Sequence, residues 1–372
     1  MLLNLNTLRA FAALCVVYYH ITSDAGLNLP VNVGTRGVDV FFVISGFIIT
    51  YVGAKNPEQF FARRLIRIVP FYWSATIFVF CIALVFPTLF HNTRADFTQL
   101  VCSLFFIPRE TDYAGMFPTL ILGWSLNYEM YFYVLFALSL WIWQKGAPIL
   151  CSLLIAAILV LINLADTSNP SINFYARPIV FEFVFGVVAY YLVSWICRDR
   201  EGVANGRAGL WVLAFVLVAS IAVLGVGEYL HGFGFSREVS AGIPAFFLVA
   251  SAILIERLYG IVINNRLVFL IGESSYILYL VHPYVVYGVL RTLVRHPENL
   301  SAPAIAGLIV LLLALATAVA VLIHLFFERP FMDFLRRRLL KPRVKDRGDA
   351  LLHSTPALEG MPASAVPRRP EP

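Results

Sequence analysis

Charged residues are scarce in this sequence. Asp, Glu, Lys and Arg together make up 13% of its 372 residues, about half the fraction that is usual in soluble globular proteins. Hydrophobic residues account for 60% of the chain, and they cluster into runs of roughly twenty residues, the length of a helix that crosses a bilayer. These features exclude a soluble fold and predict an all-α, polytopic membrane helix bundle.

Cysteine is also rare, and its placement indicates no special chemistry. The five cysteines lie in or beside apolar stretches, and none forms a C-x-x-C pair or keeps metal-ligand spacing with a histidine. We therefore interpret them as small core residues and predict neither a disulfide framework nor a metal site. The sequence has no basic patch with interleaved aromatic residues on a soluble module. Its net charge of +6 therefore does not indicate a nucleic-acid partner.

Ten apolar runs, bounded by polar residues or by Gly and Pro, predict about ten transmembrane helices. They lie near residues 6–23, 36–54, 70–87, 119–143, 147–165, 178–196, 208–226, 239–258, 267–290 and 303–327. A further run over 98–108 is too short to cross and predicts a re-entrant or interfacial segment. We expect one transmembrane domain over 1–335 and a basic, Pro-rich, disordered tail over 336–372.

Lysine and arginine are distributed unevenly between alternate loops. If the N-terminus is cytoplasmic, the inner loops and the C-terminal side carry more than twice as many of these residues as the outer loops. This asymmetry predicts a multi-pass protein with both termini in the cytoplasm and an even number of spans. The first span lacks a small-x-small cleavage site, so we interpret it as a membrane helix and not as a cleaved signal peptide.

The first predicted span carries two ionisable side chains, Arg9 and His20. They are eleven residues apart, so they share one helix face and differ in height by ~16 Å. Either residue alone is compatible with a snorkelling arginine or an interfacial histidine. Their common face favours a functional pair.

Acidic residues lie inside two further predicted spans. Asp39 lies at about the depth of His20, where a carboxylate can fix the tautomer of a histidine that acts as general base; a helix-start Asp is the alternative. Glu129 lies near mid-membrane, where a charge is costly, and shares a face with Ser125 and Tyr133. Glu129 could be a proton acceptor, a partner of Arg9 or a hydrogen-bonding group for a substrate.

A basic cluster follows the second span. Arg63, Arg64 and Arg67 alternate with apolar residues in FFARRLIRI, which predicts an interfacial amphipathic helix. Arginine suits bidentate recognition of phosphate groups, although anchoring to anionic lipid explains the cluster equally well. We further assign Trp124, Tyr276 and His282 to substrate binding, with packing or interfacial roles as the alternative.

Five segments, taken in order, resemble the acyltransferase-3 family of integral membrane acyltransferases, especially its exopolysaccharide-acetylating branch. They are LNTLRAFAALCVVYYH, GVDVFFVISGFII, FFARRLIRIVPFYW, GWSLNYEMYFY and SYILYLVHP. The resemblance covers roughly residues 4 to 335. It implies ten spanning helices in a bacterial inner membrane, acyl-CoA as donor, and a hydroxyl of a glycan or other extracytoplasmic acceptor.

The family's motifs correspond to particular positions of this sequence. Its Arg and His, separated by ten residues, correspond to Arg9 and His20, and its R-x-x-R to Arg64 and Arg67. Its acidic-x-aromatic-aromatic element corresponds to Glu129 and the aromatic pair that follows.

The resemblance implies an acetyl-CoA-dependent O-acetyltransferase, an acyltransferase that transfers groups other than aminoacyl groups. Arg9, Arg63, Arg64 and Arg67 would bind the donor, and His20 would be the catalytic base, with Asp39 and Glu129 also catalytic. The acceptor would be a polysaccharide or a lipid-linked oligosaccharide, with membrane lipid around the bundle. The alternatives are a transporter or flippase of a polysaccharide-assembly system, whose polar residues line a solute path, and a membrane scaffold.

Overall fold

The chain folds into a bundle of α-helices. The computed structural model describes residues 2–26, 33–55, 57–90, 93–198, 206–227, 230, 234–294 and 300–340. Its helices are α1 (Leu3–Asp24), α2 (Gly37–Lys55), α3 (Phe60–Val85), α4 (Phe97–Leu104), α5 (Gly123–Ile142), α6 (Ala147–Ala165), α7 (Pro170–Phe174), α8 (Phe181–Ile196), α9 (Gly206–Gly225), α10 (Ile243–Tyr259), α11 (Arg266–Glu273), α12 (Ser275–Val289), α13 (Ala302–Ile323) and α14 (Arg329–Leu339). No β-strand occurs within these ranges, so the predicted all-α class is confirmed.

Most of these helices can cross a membrane. In the described ranges, six helical segments are long and apolar enough to do so, and α11 with α12 forms a seventh if the bent pair is one span. Three further helices, α1, α2 and α5, occupy predicted spans but are too short or too polar to be counted by the same length and hydropathy criterion. These three carry Arg9, His20, Asp39 and Glu129. The polytopic prediction is confirmed, and the number of ten is approximate.

The ninth predicted span, over 267–290, is not one straight helix. It is divided into α11 and α12, which meet at an angle of 78°. The break falls at Glu273, Ser274 and Ser275, where three polar residues interrupt the apolar run. Both serines are buried, and the hydroxyl of Ser275 accepts a hydrogen bond from Arg9 at 2.8 Å. The bend therefore directs polar groups toward α1.

The tenth predicted span extends beyond its expected end. A π-helical turn over His324–Glu328 joins α13 to α14, and the helix continues to Leu339. The first residues of the predicted tail are therefore helical, and residues 341–372 lie outside the described residues. The run over 98–108 forms α4, which has eight residues and is too short to cross, as expected.

The tightest helix contact joins α2 to α8. A Cβ atom added to Gly46 would overlap the carbonyl oxygen of Phe183, and one added to Gly186 would overlap that of Val43. Such backbone contact requires glycine on both helices. Ser45, the residue before Gly46, lines the cavity described below.

Helix α1 lies at the centre of the bundle and contacts α2, α10, α11, α12 and α13. The N-cap residue of α1 does not provide a side-chain hydrogen bond to the first amide groups of the helix. Instead, the carboxylate of Glu256 in α10 accepts the N–H groups of Leu3 and Asn4 at 2.9 and 2.8 Å. The Asn6 amide donates to the carbonyl of Phe269 in α11 at 2.9 Å. The polar start of α1 is thus held by two distant helices.

Candidate active site

A cavity lies between α1, α2, α3, α5 and α12. Its lining residues are Arg9, Val38, Phe41, Phe42, Ile44, Ser45, Ile48, Arg64, Arg67, Ile68, Ser125, Leu126, Glu129, Tyr133, Ser275, Tyr276 and Tyr279. Four of the sequence segments that carried the predicted site therefore converge here: the start of α1, the start of α3, the first half of α5 and the start of α12.

The charged groups of the cavity are three guanidinium groups and one carboxylate. Arg9, Arg64 and Arg67 line it together with Glu129, a formal excess of two positive charges. Cations held close together within a membrane bundle repel one another and are expensive to desolvate. Such an arrangement is typical of a site for an anionic ligand that neutralises the excess charge.

Arg9 is held at the junction of α1 and α12. One terminal nitrogen donates to the Ser275 hydroxyl at 2.8 Å. Glu129, Glu273 and Glu328 all lie within electrostatic range of its guanidinium group. Arg9 is therefore fixed by neutral and acidic neighbours from three directions, with its face toward the cavity available to a ligand.

The basic cluster is part of α3 and not a separate interfacial helix. Arg64 is buried, and its guanidinium lies over the rings of Phe60 and Tyr133 at 5.6 and 5.8 Å from their centroids. Arg67, one turn later, lines the cavity and has no hydrogen-bond or ion-pair partner within the described part of the chain. Arg63 does not line the cavity; it donates to the carbonyl of Glu58. The structure therefore separates Arg63 from the other two arginines.

Glu129 is at the centre of a small hydrogen-bond network. Both Ser45 on α2 and Tyr133 on α5 donate to its Oε1 atom, Ser45 at 3.2 Å. Ser125, Glu129 and Tyr133 all line the cavity, as expected from their four-residue spacing. Ser125 also shares a hydrogen bond of 2.8 Å with the hydroxyl of Tyr279 on α12. The carboxylate thus joins α5 to α2, and a separate hydrogen bond joins α5 to α12.

Tyr276, predicted to bind substrate, forms part of the cavity wall. Its hydroxyl donates to the carbonyl of Ile68 at 2.7 Å, next to Pro70, whose ring removes an amide hydrogen from α3. Trp124, also predicted to bind substrate, does not line the cavity; it packs edge-to-face on Tyr128. The remaining wall is apolar and comes mainly from α2.

His20 lies against His282 on α12. Their ring centroids are 5.0 Å apart, and the ring of His282 lies 6.2 Å from that of Tyr279, which lines the cavity. Neither histidine lines the cavity itself. The side of α1 that carries Arg9 and His20 is therefore directed toward α12. Arg9 contacts Ser275, and His20 contacts His282, two turns farther along α12.

The predicted pairing of Asp39 with His20 is wrong. Asp39 is fully buried, and both of its carboxylate oxygens accept hydrogen bonds from Arg237, each at 2.8 Å. Glu182 on α8, also fully buried, lies beside this ion pair. Asp39 therefore has an arginine as its partner, and its predicted depth did not place it in contact with His20.

Sequence reasoning did not identify several of these groups. Arg237, Ser45 and Tyr279 were not predicted to be near the site, and Glu182 had no assigned role. The available signal was charge balance, because an Asp and a Glu inside two spans require a cation. Arg237, at the start of the eighth predicted span, was a candidate at similar depth.

Comparison with known proteins identifies the class. A family model described as an acyltransferase domain matches residues 2–325. The chain therefore belongs to the acyltransferase-3 family, and it is a membrane-embedded acyltransferase. No solved structure is significantly similar to it.

Three relatives illustrate the family's range. The exopolysaccharide production protein ExoZ of Rhizobium meliloti is 32% identical over 324 residues, which cover 86% of this chain and 96% of that protein. The O-acetyltransferase OatA of Staphylococcus aureus is 24% identical over 316 residues, 76% of this chain and 50% of that protein. Nodulation protein 10 of Rhizobium leguminosarum is 27% identical over 259 residues, 59% of this chain and 69% of that protein.

Proposed function

We propose that this protein transfers an acetyl or other short acyl group from cytosolic acyl-CoA to a hydroxyl of a bacterial surface polysaccharide or exopolysaccharide. The observation that carries the proposal is the cavity itself. Arg9, Arg64 and Arg67 line it together with an apolar wall, and another lining residue, Tyr279, lies beside His282, which in turn lies beside His20.

The donor is acetyl-CoA, bound with its phosphate groups on the arginines. CoA carries a diphosphate and a ribose phosphate, and the cavity has an excess of two positive charges. Guanidinium groups bind such oxyanions through paired, charge-assisted hydrogen bonds. The apolar wall from Phe41 and Ile44 to Ile68 suits the pantetheine arm and the acyl chain, which are largely uncharged.

His20 is the base for the acceptor hydroxyl. Its side chain is half-buried next to a second imidazole, and neutral imidazole is the common proton acceptor at physiological pH. The hydroxyl oxygen bonds to the thioester carbonyl carbon while its proton moves to His20. The carbon–sulfur bond then breaks, and His20 returns the proton to the departing CoA thiolate.

The acceptor is a polysaccharide or a lipid-linked oligosaccharide at a bacterial cytoplasmic membrane, with both termini of the protein in the cytoplasm. The name of one relative states exopolysaccharide production, which supports a glycan acceptor. The name of another states O-acetyl transfer, which supports the reaction. The similarity to the first covers nearly its whole length. The distribution of Lys and Arg supports this orientation.

The test uses the purified protein in lipid nanodiscs with acetyl-CoA that carries a ¹³C-labelled acetyl group. The acceptor is exopolysaccharide extracted from a strain that lacks the gene for this protein. We expect acceptor-dependent release of free CoA and a matching increase in polysaccharide mass. His20→Ala should abolish both signals while the variant remains folded in the nanodisc. Labelled polysaccharide at the parental level from that variant, or none from the parent protein, would refute the proposal.

A further inference from the structure

His282 is a buried histidine with one unsatisfied ring nitrogen. Its Nδ1 atom lies 2.9 Å from the Leu278 carbonyl oxygen one turn earlier on α12. A carbonyl oxygen only accepts, so Nδ1 carries the hydrogen and Nε2 carries a lone pair. Within the described part of the chain, Nε2 is buried and has no hydrogen-bond partner. The backbone therefore fixes the tautomer and leaves an acceptor exposed only to the interior.

The ring of His20 lies next to that of His282. The two centroids are 5.0 Å apart with an angle of 54° between the planes, and no hydrogen bond joins the rings. The other titratable groups in ring contact with the pair are Tyr19 on α1 and Tyr279 on α12. No Asp, Glu, Lys or Arg of the described ranges is within electrostatic range of either ring. The role that a carboxylate fills beside many catalytic histidines is therefore not filled by one here.

A buried acceptor without a hydrogen-bond partner destabilises the folded protein. Such a destabilisation is expected at a site where a hydrogen-bond donor approaches the acceptor during the reaction. Because the two rings are adjacent, a rotation of the His20 side chain can bring its N–H to Nε2 of His282. The second nitrogen of His20 would then carry a lone pair on the opposite side of its ring.

We propose that His282 is the positioning residue for His20. This inference rests on the acyltransferase function proposed above. In the reacting complex, Nε2 of His282 accepts the N–H of His20, which fixes the His20 tautomer and leaves its other nitrogen to take the proton of the acceptor hydroxyl. As the new oxygen–carbon bond forms, the charge of the resulting imidazolium is stabilised by His282. The proton then passes from His20 to the CoA thiolate, and His282 itself exchanges no proton with substrate.

Two substitutions distinguish this role from simple packing. His282→Gln retains a side-chain oxygen that can accept the N–H of His20, whereas His282→Leu fills similar space without an acceptor. We expect the Leu variant to lose about 100-fold or more in kcat, the scale of acid–base catalysis, with the KM for acetyl-CoA unchanged. The Gln variant should recover at least tenfold of that loss. The assay is transfer of labelled acetyl from acetyl-CoA to the exopolysaccharide of the gene-deletion strain.

The dependence of kcat on pH gives a second readout that packing would not change. In the parent protein, a proton on either imidazole disables the base, and the pair can share that proton. In His282→Gln only His20 can be protonated, so the acid-side fall in kcat should move to lower pH. The matched control is His324→Gln, since His324 also has a buried, unpartnered Nε2 but pairs through Nδ1 with Glu328 at 2.6 Å. Its acid-side fall should coincide with that of the parent.

Three outcomes would overturn the role of His282. They are parental kcat in His282→Leu, equal losses in folded Leu and Gln variants, and an unchanged acid-side fall in His282→Gln. If the Leu variant does not fold, the Gln variant and its pH profile decide the question. Absence of transfer by the parent protein would refute the acyltransferase function itself, and with it the role of His282.

Discussion

Removal of one arginine from the cavity should weaken donor binding in a measurable way. Arg67 is the best choice, because it lines the cavity and has no hydrogen-bond or ion-pair partner among the described residues. Its loss therefore leaves no buried group unpaired. Arg64, by contrast, packs on two aromatic rings, so its substitution would also affect folding.

The magnitude follows from the contact that is lost. Arg67→Gln lowers the charge excess of the cavity from two to one. A hydrogen bond to a charged group contributes ~1.5–3 kcal/mol, and each 1.4 kcal/mol is about a factor of ten in affinity. We therefore expect the KM for acetyl-CoA to rise roughly 10- to 150-fold, with kcat changed only a few-fold, because the reacting atoms lie elsewhere.

The assay is initial-rate acetyl transfer by nanodisc-embedded protein over a range of acetyl-CoA concentrations. Arg63→Gln is the matched control: it removes the same charge from the same helix, four residues earlier, outside the cavity. Its donor KM should remain parental. A parental KM in folded Arg67→Gln, or an equal rise in both variants, would refute the assignment of the cavity to the donor.

Three further predictions concern packing, the central carboxylate and acid stability. Gly186→Ala places a methyl group against the backbone of α2 and should cost ~1–3 kcal/mol of stability, which a lower melting temperature in detergent would show. The control is Gly307→Ala, which has no atom within 4 Å of the added methyl group and should keep the parental melting temperature. Equal melting temperatures of the two variants would contradict the close contact between α2 and α8. Glu129→Gln keeps an acceptor for its two donors but cannot take up a proton, so kcat should fall about 100-fold without loss of folding, and full activity would exclude a catalytic carboxylate. The hydrogen bond from Arg109 lowers the pKa of the Asp96 carboxyl below its usual 3.8. The stability that this hydrogen bond adds is present above that value and is lost as the pH falls through the lowered pKa, so proteolysis of the loop between α3 and α5 should increase in acid. Asp96→Asn should remove this acid-dependent increase.

The helices could largely be predicted because twenty apolar residues have few alternatives in a bilayer. The break at Ser274 could not, since a hydropathy window averages over a few polar residues. Glu273, Ser274 and Ser275 are followed at once by apolar residues, and the composition of the whole run still predicts a span. At the bend, Ser275 accepts a hydrogen bond from Arg9, and the sequence gives no direct sign of such a tertiary contact.

The candidate site was predictable along each helix but not between helices. Spacing placed Arg9 with His20 and Ser125 with Glu129 on common faces, and both relations hold. Depth alone paired Asp39 with His20, and the structure contradicts this. Two residues at one depth can lie on opposite sides of their helices, because the rotation of each helix is set by its neighbours, here by glycine contact between α2 and α8.

The contact between Glu256 and the start of α1 has a consequence for biogenesis. Leu3 and Glu256 are 253 residues apart, so at ~5–20 residues per second a ribosome needs ~10–50 s to supply the carboxylate that the first helix requires. Until then, the amide groups at the start of α1 and the charge of Arg9 can be satisfied only by water or lipid headgroups. The helix that is synthesised first is thus among the last to be secured, and an isolated amino-terminal fragment should insert in the membrane poorly.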